Sequence, residues 1–429
     1  MRLTRLEIQN YKSLRNVAIE PTSPAVLVGP NASGKTNFAD ALDFLGIAYR
    51  WGLEQAVAAK GGFENICFRS ARRSKSAVRM GVHSVIPAGN WIGLFGGVSA
   101  KHFSEFQLVH NFEIRSDPRD SAAQFAVSTE TLTLAVKGIE GSWQTFLVID
   151  RSKEQSWTDS GLFRDLQLSI PALLLEDHAG PSLPTRIAGL PMTQLILRSV
   201  EDVLFLKGPF TQPLASLRVF QLNPRTCREA GVPTPNAELD RFGGNLPAAL
   251  DHLKKNYPES YDALLETLRK VLPSVESLDT GFTHTKTLAF FLRERGFGRP
   301  WPAEDVSDGT LQTIALLVAL FDPRSKIVVI EEPENSIHPW ALRNFVEAAR
   351  QASRQKQIFL TTHSPVLIDQ LRPEELWVVR RPGAETLIDP LPSLDPTVTE
   401  AWGEGKFTLS EYLDSGALPD AVPAAGSGR

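Results

Sequence analysis

Gly29-Pro30-Asn31-Ala32-Ser33-Gly34-Lys35-Thr36 has the G-x-x-x-x-G-K-[ST] spacing of a loop that cradles nucleotide phosphates. The residue types explain the chemistry. Glycines allow backbone N–H groups to turn inward around a β-phosphate. Lys35 supplies a mobile point charge for the β- and γ-phosphates, and the Thr36 hydroxyl is a ligand for Mg²⁺. A helix opening at this loop adds its positive dipole end. A second group of reactive residues closes an apolar run, Ile327-Val-Val-Ile330 followed by Glu331 and Glu332. At a strand end beside a phosphate loop, one carboxylate serves the metal and its neighbour polarises the attacking water. Successive strand residues point to opposite sides, so adjacent acids can take different roles. Without Lys35, the pair would read equally well as a solvated turn.

These residues need scaffolding, and the flanks supply it. Ala25-Val-Leu-Val28 reads as a strand buried on both faces, directly before the loop. Phe38, Leu42, Leu45 and Tyr49 follow at helical spacing. Residues 3–9 alternate as an edge strand does. Residues 78–150 hold strand-length runs at 103, 124, 132 and 145 and predict an antiparallel β section. Residues 151–245 are rich in Pro and Gly, and 246–272 predict a helical stretch interrupted at Pro258. No heptad pattern persists there, so no long coiled-coil arm is expected. Further on, Asp308–Phe321 predicts a helix, Lys326–Ile330 a strand, Pro339–Gln355 an amphipathic helix and Ile358-Phe-Leu another buried strand. The segment from Ala421 to Arg429 is small and polar, and disorder is expected there.

Composition narrows the classes. The 429-residue chain is 42% hydrophobic and 22% charged, ordinary values for a soluble globular protein of two or more domains. A net charge of −4 excludes a globally basic nucleic-acid binder but not a local basic groove. The cluster Arg69, Arg72, Arg73 and Lys75 fits either a solvated loop or a phosphate contact. Cys67 and Cys227 have no metal-like spacing and suit a reducing compartment. No leader-like apolar stretch opens the chain and no apolar run is long enough for a bilayer. A cytoplasmic protein with no membrane partner is therefore expected.

Four segments in order resemble the ABC-type ATPase heads of the SMC/RecF group, in the branch of stand-alone AAA family ATPases related to the OLD (overcoming lysogenization defect) proteins. They are Leu6-Glu-Ile-Gln-Asn-Tyr-Lys-Ser-Leu14 running into the phosphate loop and Asn37, then Val306-Ser307-Asp308-Gly309-Thr310-Leu311. Ile330-Glu-Glu-Pro-Glu-Asn-Ser-Ile-His-Pro339 and Phe359-Leu-Thr-Thr-His-Ser-Pro365 complete the set. Gly61-Gly-Phe-Glu and Asp240-Arg-Phe-Gly-Gly-Asn-Leu are weaker matches.

The resemblance implies roles. Residues 29–37 and Lys12 would bind ATP, with Ser307 and Gly309 meeting the γ-phosphate held by a second copy. Thr36 and Glu331 would hold Mg²⁺, Glu332 would be the catalytic base and His363 the γ-phosphate sensor, with Lys35 part of the catalytic set. Asn335 would lie at the subunit interface, and Asn10 would approach the nucleotide. His338, before a proline at a helix start, fits capping or packing as well as chemistry. The chain departs from the family pattern in three ways. Glu331 stands where Asp is usual, Asp308 adds a negative charge inside the signature, and no glutamine loop is placed, Gln55 and Gln107 being candidates without flanking support. OLD relatives carry a Toprim nuclease, but the residues after His363 lack its acidic cluster, so no nuclease of its own is expected.

The expected fold is α/β, a P-loop NTPase ABC-type head built from both chain ends, with an antiparallel β lobe and an inserted helical lobe. The expected segments are 1–75, 76–150, 151–300, 301–390 and 391–429. The expected function is an ATP-hydrolysing head that dimerises on ATP, in DNA repair or antiviral defence, with DNA or a separately encoded nuclease or effector protein as partner. The rival readings are an ATP-dependent switch of a protein effector that binds no DNA, and a transporter's nucleotide-binding subunit. The wide motif separation disfavours the last.

Overall fold

The structure, a computed structural model, describes residues 1–68, 76–90, 103–117, 124–139, 141–151, 157–159, 187, 189–201 and 206–418. The basic cluster at 69–75 and the tail from 421 lie outside the described residues. The chain forms two compact units. One comprises Met1–Pro21, Asp40–Leu217 and Pro382–Ile388; the other comprises Thr22–Ala39, Arg218–Arg381 and Asp389–Arg429. The helix Lys35–Trp51 begins in the second and continues into the first.

The first unit is built on a seven-stranded antiparallel sheet. Its strands are β1 (Arg2–Tyr11), β2 (Leu14–Ile19), β4 (Val78–Pro87), β5 (Phe103–Ser116), β6 (Phe125–Gly138), β7 (Trp143–Asp150) and β8 (Trp157–Asp159), in the order β2-β1-β4-β5-β6-β7-β8. Segments expected to be separate, 1–75 and 76–150, therefore share one sheet. β1 is also not an edge strand. Leu6 pairs with Ile19 of β2 on one side and with Val82 of β4 on the other. The charged residues that suggested an edge occupy the half-exposed face of the strand, since Leu6, Ile8 and Tyr11 are fully buried on the other. Period-2 polarity reports which face is wet, not which strand is outermost.

A second difference concerns residues 124–136, where two apolar runs suggested two strands. They are one strand, β6, because the polar residues between them find partners inside the unit. Ser128 donates to Glu113 at 2.6 Å. Glu130, 1% exposed, meets His110 Nε2 at 2.9 Å, the Ile196 amide at 2.6 Å and Arg151 at 3.3 Å, and the far nitrogen of His110 meets the Tyr49 hydroxyl at 3.0 Å. Burying a carboxylate is tolerable only with such compensation.

The second unit holds five parallel strands of a six-stranded sheet, β3 (Ala25–Val28), β9 (Arg218–Phe220), β13 (Ile327–Glu331), β14 (Gln357–Thr362) and β15 (Leu376–Arg380), in the order β15-β3-β14-β13-β9. All residues of β3, β13 and β14 are buried, as expected of parallel strands covered on both faces. The helix Asp308–Phe321 is buried on every side from Leu311 to Leu320, the pattern of a core helix. Pro339–Ala352 is amphipathic and ends three residues earlier than expected. The stretch at 246–272 divides where Pro258 indicated, into Leu246–Asn256 and Pro258–Val271. A smaller antiparallel sheet of β10 (Val275–Phe282), β11 (Leu288–Glu294) and β12 (Trp301–Pro302) completes the unit. No helix among the described residues is long and apolar enough to cross a membrane.

Replacing Glu130 by Ala removes the acceptor of this buried network and leaves Arg151 and the Ile196 amide without it. We expect the unfolding free energy read by chemical denaturation to fall by about 3 kcal/mol. An unchanged midpoint would show that the network contributes nothing.

Candidate active site

The phosphate loop leaves β3 under tight steric control. A Cβ on Gly29 would lie 2.1 Å from the Val379 carbonyl oxygen of neighbouring β15, so only glycine fits. Within the loop Ala32 and Gly34 take left-handed φ values of 63° and 116°, which tilt successive amides into the concave arrangement that binds anions. The helix is entered at once, with the Phe38 amide bonded to Gly34 O at 3.0 Å. Thr36 is exposed on its first turn. Lys35 is only 6% exposed and donates to the carbonyls of Gly29 at 2.7 Å and Pro30 at 3.1 Å. Burial lowers the pKa of its ammonium, while the nearby carboxylates of Glu332 and Glu334 pull it back up.

The acids stand at the end of β13, which is separated from β3 by β14. Glu331 closes β13, is 4% exposed, and accepts from Arg241 Nη2 at 3.1 Å. Glu332 turns out of the strand with φ at 49°, a conformation that costs a residue with a Cβ about 1 kcal/mol or more. Its amide bonds to Thr361 O at 2.9 Å, which ties the turn to β14. Its carboxylate lies in close contact with His363 Nδ1, and the same nitrogen lies 3.6 Å from Glu334. Burial and then repulsion from Glu334 raise the Glu332 pKa, with His363 and Lys35 opposing. Glu334 is fixed from β14, accepting from the Thr362 hydroxyl at 2.6 Å and the His363 amide at 3.1 Å. A cavity of about 140 Å³ is lined by Gly29 and Pro30 of the loop together with His363. Lys35, Glu332 and His363 thus converge within one unit.

The signature segment begins the core helix. Ser307 is its N-cap, its hydroxyl accepting from the Thr310 amide at 3.3 Å. A Cβ on Gly309 would lie 2.7 Å from the carbonyl of Ser336, so the helix start presses on the loop that carries Glu332 and Glu334. The extra negative charge of Asp308 is matched by Arg228, whose Nη2 sits 2.7 Å from the carboxylate and 2.8 Å from Val306 O.

Asn335 is exposed in the turn after Glu334. His338 caps the helix that follows, accepting from the Trp340 amide at 3.3 Å. Lys12 belongs to the first unit, where its ammonium is paired with Asp40. Gln55 and Gln107 also lie in the first unit. Sequence reasoning assigned no role to Glu334, Arg241 or Arg228. Two signals were visible: Glu334 is the third acid of its segment, and Arg241 stands in the weakly family-like stretch at 240–246.

The family whose description reads "AAA domain, putative AbiEii toxin, Type IV TA system" matches residues 25–369, and one described as "AAA ATPase domain" matches residues 1–47. Among curated proteins, the DNA replication and repair protein RecF of Nitrosococcus oceani is 32% identical over 68 residues, a stretch that covers 15% of this chain and 19% of RecF. Among solved structures, the SMC head domain from Thermotoga maritima aligns with 91% of this chain and 99% of its own, at 12% identity and a TM-score of 0.38. The Smc head domain with an extended coiled coil, bound to the C-terminal domain of ScpA and derived from Pyrococcus furiosus, aligns with 94% of this chain and 99% of its own, at 12% identity and a TM-score of 0.45.

Gly309→Ala places a methyl group against Ser336 O, and the loop holding Glu332 and Glu334 must shift. Alanine is the better helix former, so the fold is retained while ATP turnover falls about 100-fold, the usual effect of a displacement near 1 Å in reacting groups. Gly403→Ala, where a Cβ meets nothing within 4 Å, serves as the control. Equal turnover in both variants would remove this contact from the catalytic geometry.

Proposed function

The chain belongs to the AAA domain family described above and is an ATPase; on that premise we propose that it is an SMC/RecF-like ABC-type head, that two copies close over ATP, that hydrolysis reopens them, and that the cycle serves DNA repair or antiviral defence. The partner in this reading is DNA, or a separately encoded nuclease or effector. One observation carries the active-site reading: Lys35 of the phosphate loop lies within electrostatic reach of Glu332 and Glu334, and His363 pairs with Glu332.

In the proposed mechanism the inward amides of residues 31–36 take the β-phosphate. Lys35 exchanges the carbonyls of Gly29 and Pro30 for β- and γ-phosphate oxygens, replacing neutral acceptors by charged ones, which are roughly twice as strong. Glu332 accepts the proton of the attacking water as its oxygen bonds to the γ-phosphorus and the bond to the β-phosphate oxygen breaks. A carboxylate whose pKa is raised by burial is a better base than an ordinary one. His363 orients that carboxylate and follows the charge on the γ-phosphate. The exposed hydroxyl of Thr36 and the carboxylate of Glu331 are hard oxygen donors that fit Mg²⁺, and Glu331 must then share its charge between the ion and Arg241. The ion would neutralise phosphate charge. Ser307 and Gly309 of one copy face the γ-phosphate held by the other, at a helix N-terminus that favours anions. Arg228 keeps Asp308 from repelling it.

The DNA link rests on the RecF match, which spans a small part of either chain. Two measurements test the proposal. Glu332→Gln should bind ATP, hydrolyse it at a rate at least about 100-fold lower, and accumulate as a dimer in size-exclusion chromatography with ATP. Normal turnover would remove Glu332 from the role of base. Duplex DNA should stimulate the wild-type ATPase, with the stimulation falling steeply as salt rises. Indifference to DNA at every salt concentration would favour the effector switch without DNA.

A further inference from the structure

The carboxylates of Glu332 and Glu334 and the imidazole of His363 each offer a ligand atom, and these atoms lie within 4.8 Å of one another. Crowded acids alone do not make a metal site. A second observation comes from Glu334, whose side chain is 9% exposed. One of its oxygens accepts from Thr362 and from the His363 amide. The other, Oε2, is buried and has no hydrogen-bond partner among the described residues. Leaving a buried charged acceptor without a donor is unfavourable, because the desolvation of the group is not repaid. Glu332 makes matters worse, since its carboxylate repels that of Glu334. Lys35 does not resolve the conflict by hydrogen bonding, because it donates to the loop carbonyls.

We propose that Glu332, Glu334 and His363 bind a divalent transition-metal ion of the Zn²⁺ or Mn²⁺ class, distinct from the magnesium that accompanies ATP. Two carboxylate oxygens and one imidazole nitrogen form a three-ligand protein set that leaves a position open. Imidazole is the discriminating donor. Magnesium and calcium prefer oxygen, whereas zinc and manganese accept nitrogen and carboxylate together. The His363 side chain is 54% exposed, which opens the path for the ion to enter. Glu332 held as a ligand cannot accept a proton from water, so the ion inhibits ATP hydrolysis; this consequence, unlike the binding itself, rests on the role proposed for Glu332.

The test is calorimetric titration of ZnCl₂ and of MnCl₂ into the full chain, stripped of metal and free of nucleotide. The expected result is one saturable site per chain for at least one of the two ions. Glu334→Gln and His363→Ala should each weaken it by at least about tenfold, since even losing a residue behind the ligands costs that much. Glu331→Gln should leave it in place. His363 is exposed and its removal leaves the core intact, so that variant decides the matter if Glu334→Gln fails to fold. No saturable uptake of either ion, or uptake left unchanged in His363→Ala, overturns the site. A chain that hydrolyses Mg·ATP yet takes up neither ion loses this site alone. One that takes up the ion, yet hydrolyses no Mg·ATP when stripped of it, loses the proposed mechanism alone.

Discussion

The active site depends on three parallel strands lying side by side. β3, β14 and β13 run in the same direction, with Val28 opposite Thr362 and Thr361 opposite Glu331. Their carboxyl ends therefore emerge together, and each delivers one functional group. The phosphate loop follows β3, Thr362 and His363 follow β14, and the glutamates follow β13. Ligands of open α/β sheets bind at this edge, where strand ends and helix starts meet. The apolar residues of these strands are buried on both faces, so a one-residue slip would disturb packing throughout the layer as well as misalign the groups.

Electrostatics then defines the state of the groups so assembled. Burial disfavours the charged form of both Lys35 and Glu332, and each is partly rescued by the other. Neither would be comfortable alone. The lysine rests on two neutral carbonyls and the glutamate on an exposed histidine, partners that phosphate and water can replace. Glu331 is different: its partner is Arg241, a fixed cation on a separate loop of the same unit. Two adjacent glutamates with equal sequence credentials thus have unequal surroundings, one held by an arginine and the other beside the lysine and the histidine. The tight contact of Gly309 with Ser336 O couples the signature helix to this acidic turn, a mechanical link between the part that would sense a second copy and the part that would do the chemistry.

Local patterns in the sequence were accurate where local physics dominates. The helix after the loop, the buried strands at 25–28 and 357–362, and the division at Pro258 all follow from periodicity and from proline's missing N–H. Patterns misled where burial was resolved by distant partners. The polar residues within β6 looked like a break because His110, Arg151 and the Ile196 amide, which satisfy Glu130, are far away in the chain. β1 looked like an edge because alternation does not say how many neighbours a strand has. Asp308 looked like an uncompensated charge because Arg228 lies 80 positions earlier.

The sequence by itself determined the chemistry on offer: a phosphate loop with its lysine, paired acids after an apolar strand, a capped helix with a glycine in its first turn, and a histidine after a buried strand. Each is a short-range pattern, and its meaning comes from bond geometry and side-chain type. Only the tertiary structure decided which of these groups touch, which acid faces Lys35 and which is held by an arginine, and that Glu334 keeps one buried oxygen without a donor among the described residues. The reason is physical. Desolvation, ion pairing and steric closeness are set by what surrounds a group in three dimensions, and those neighbours come from parts of the chain that no local window contains.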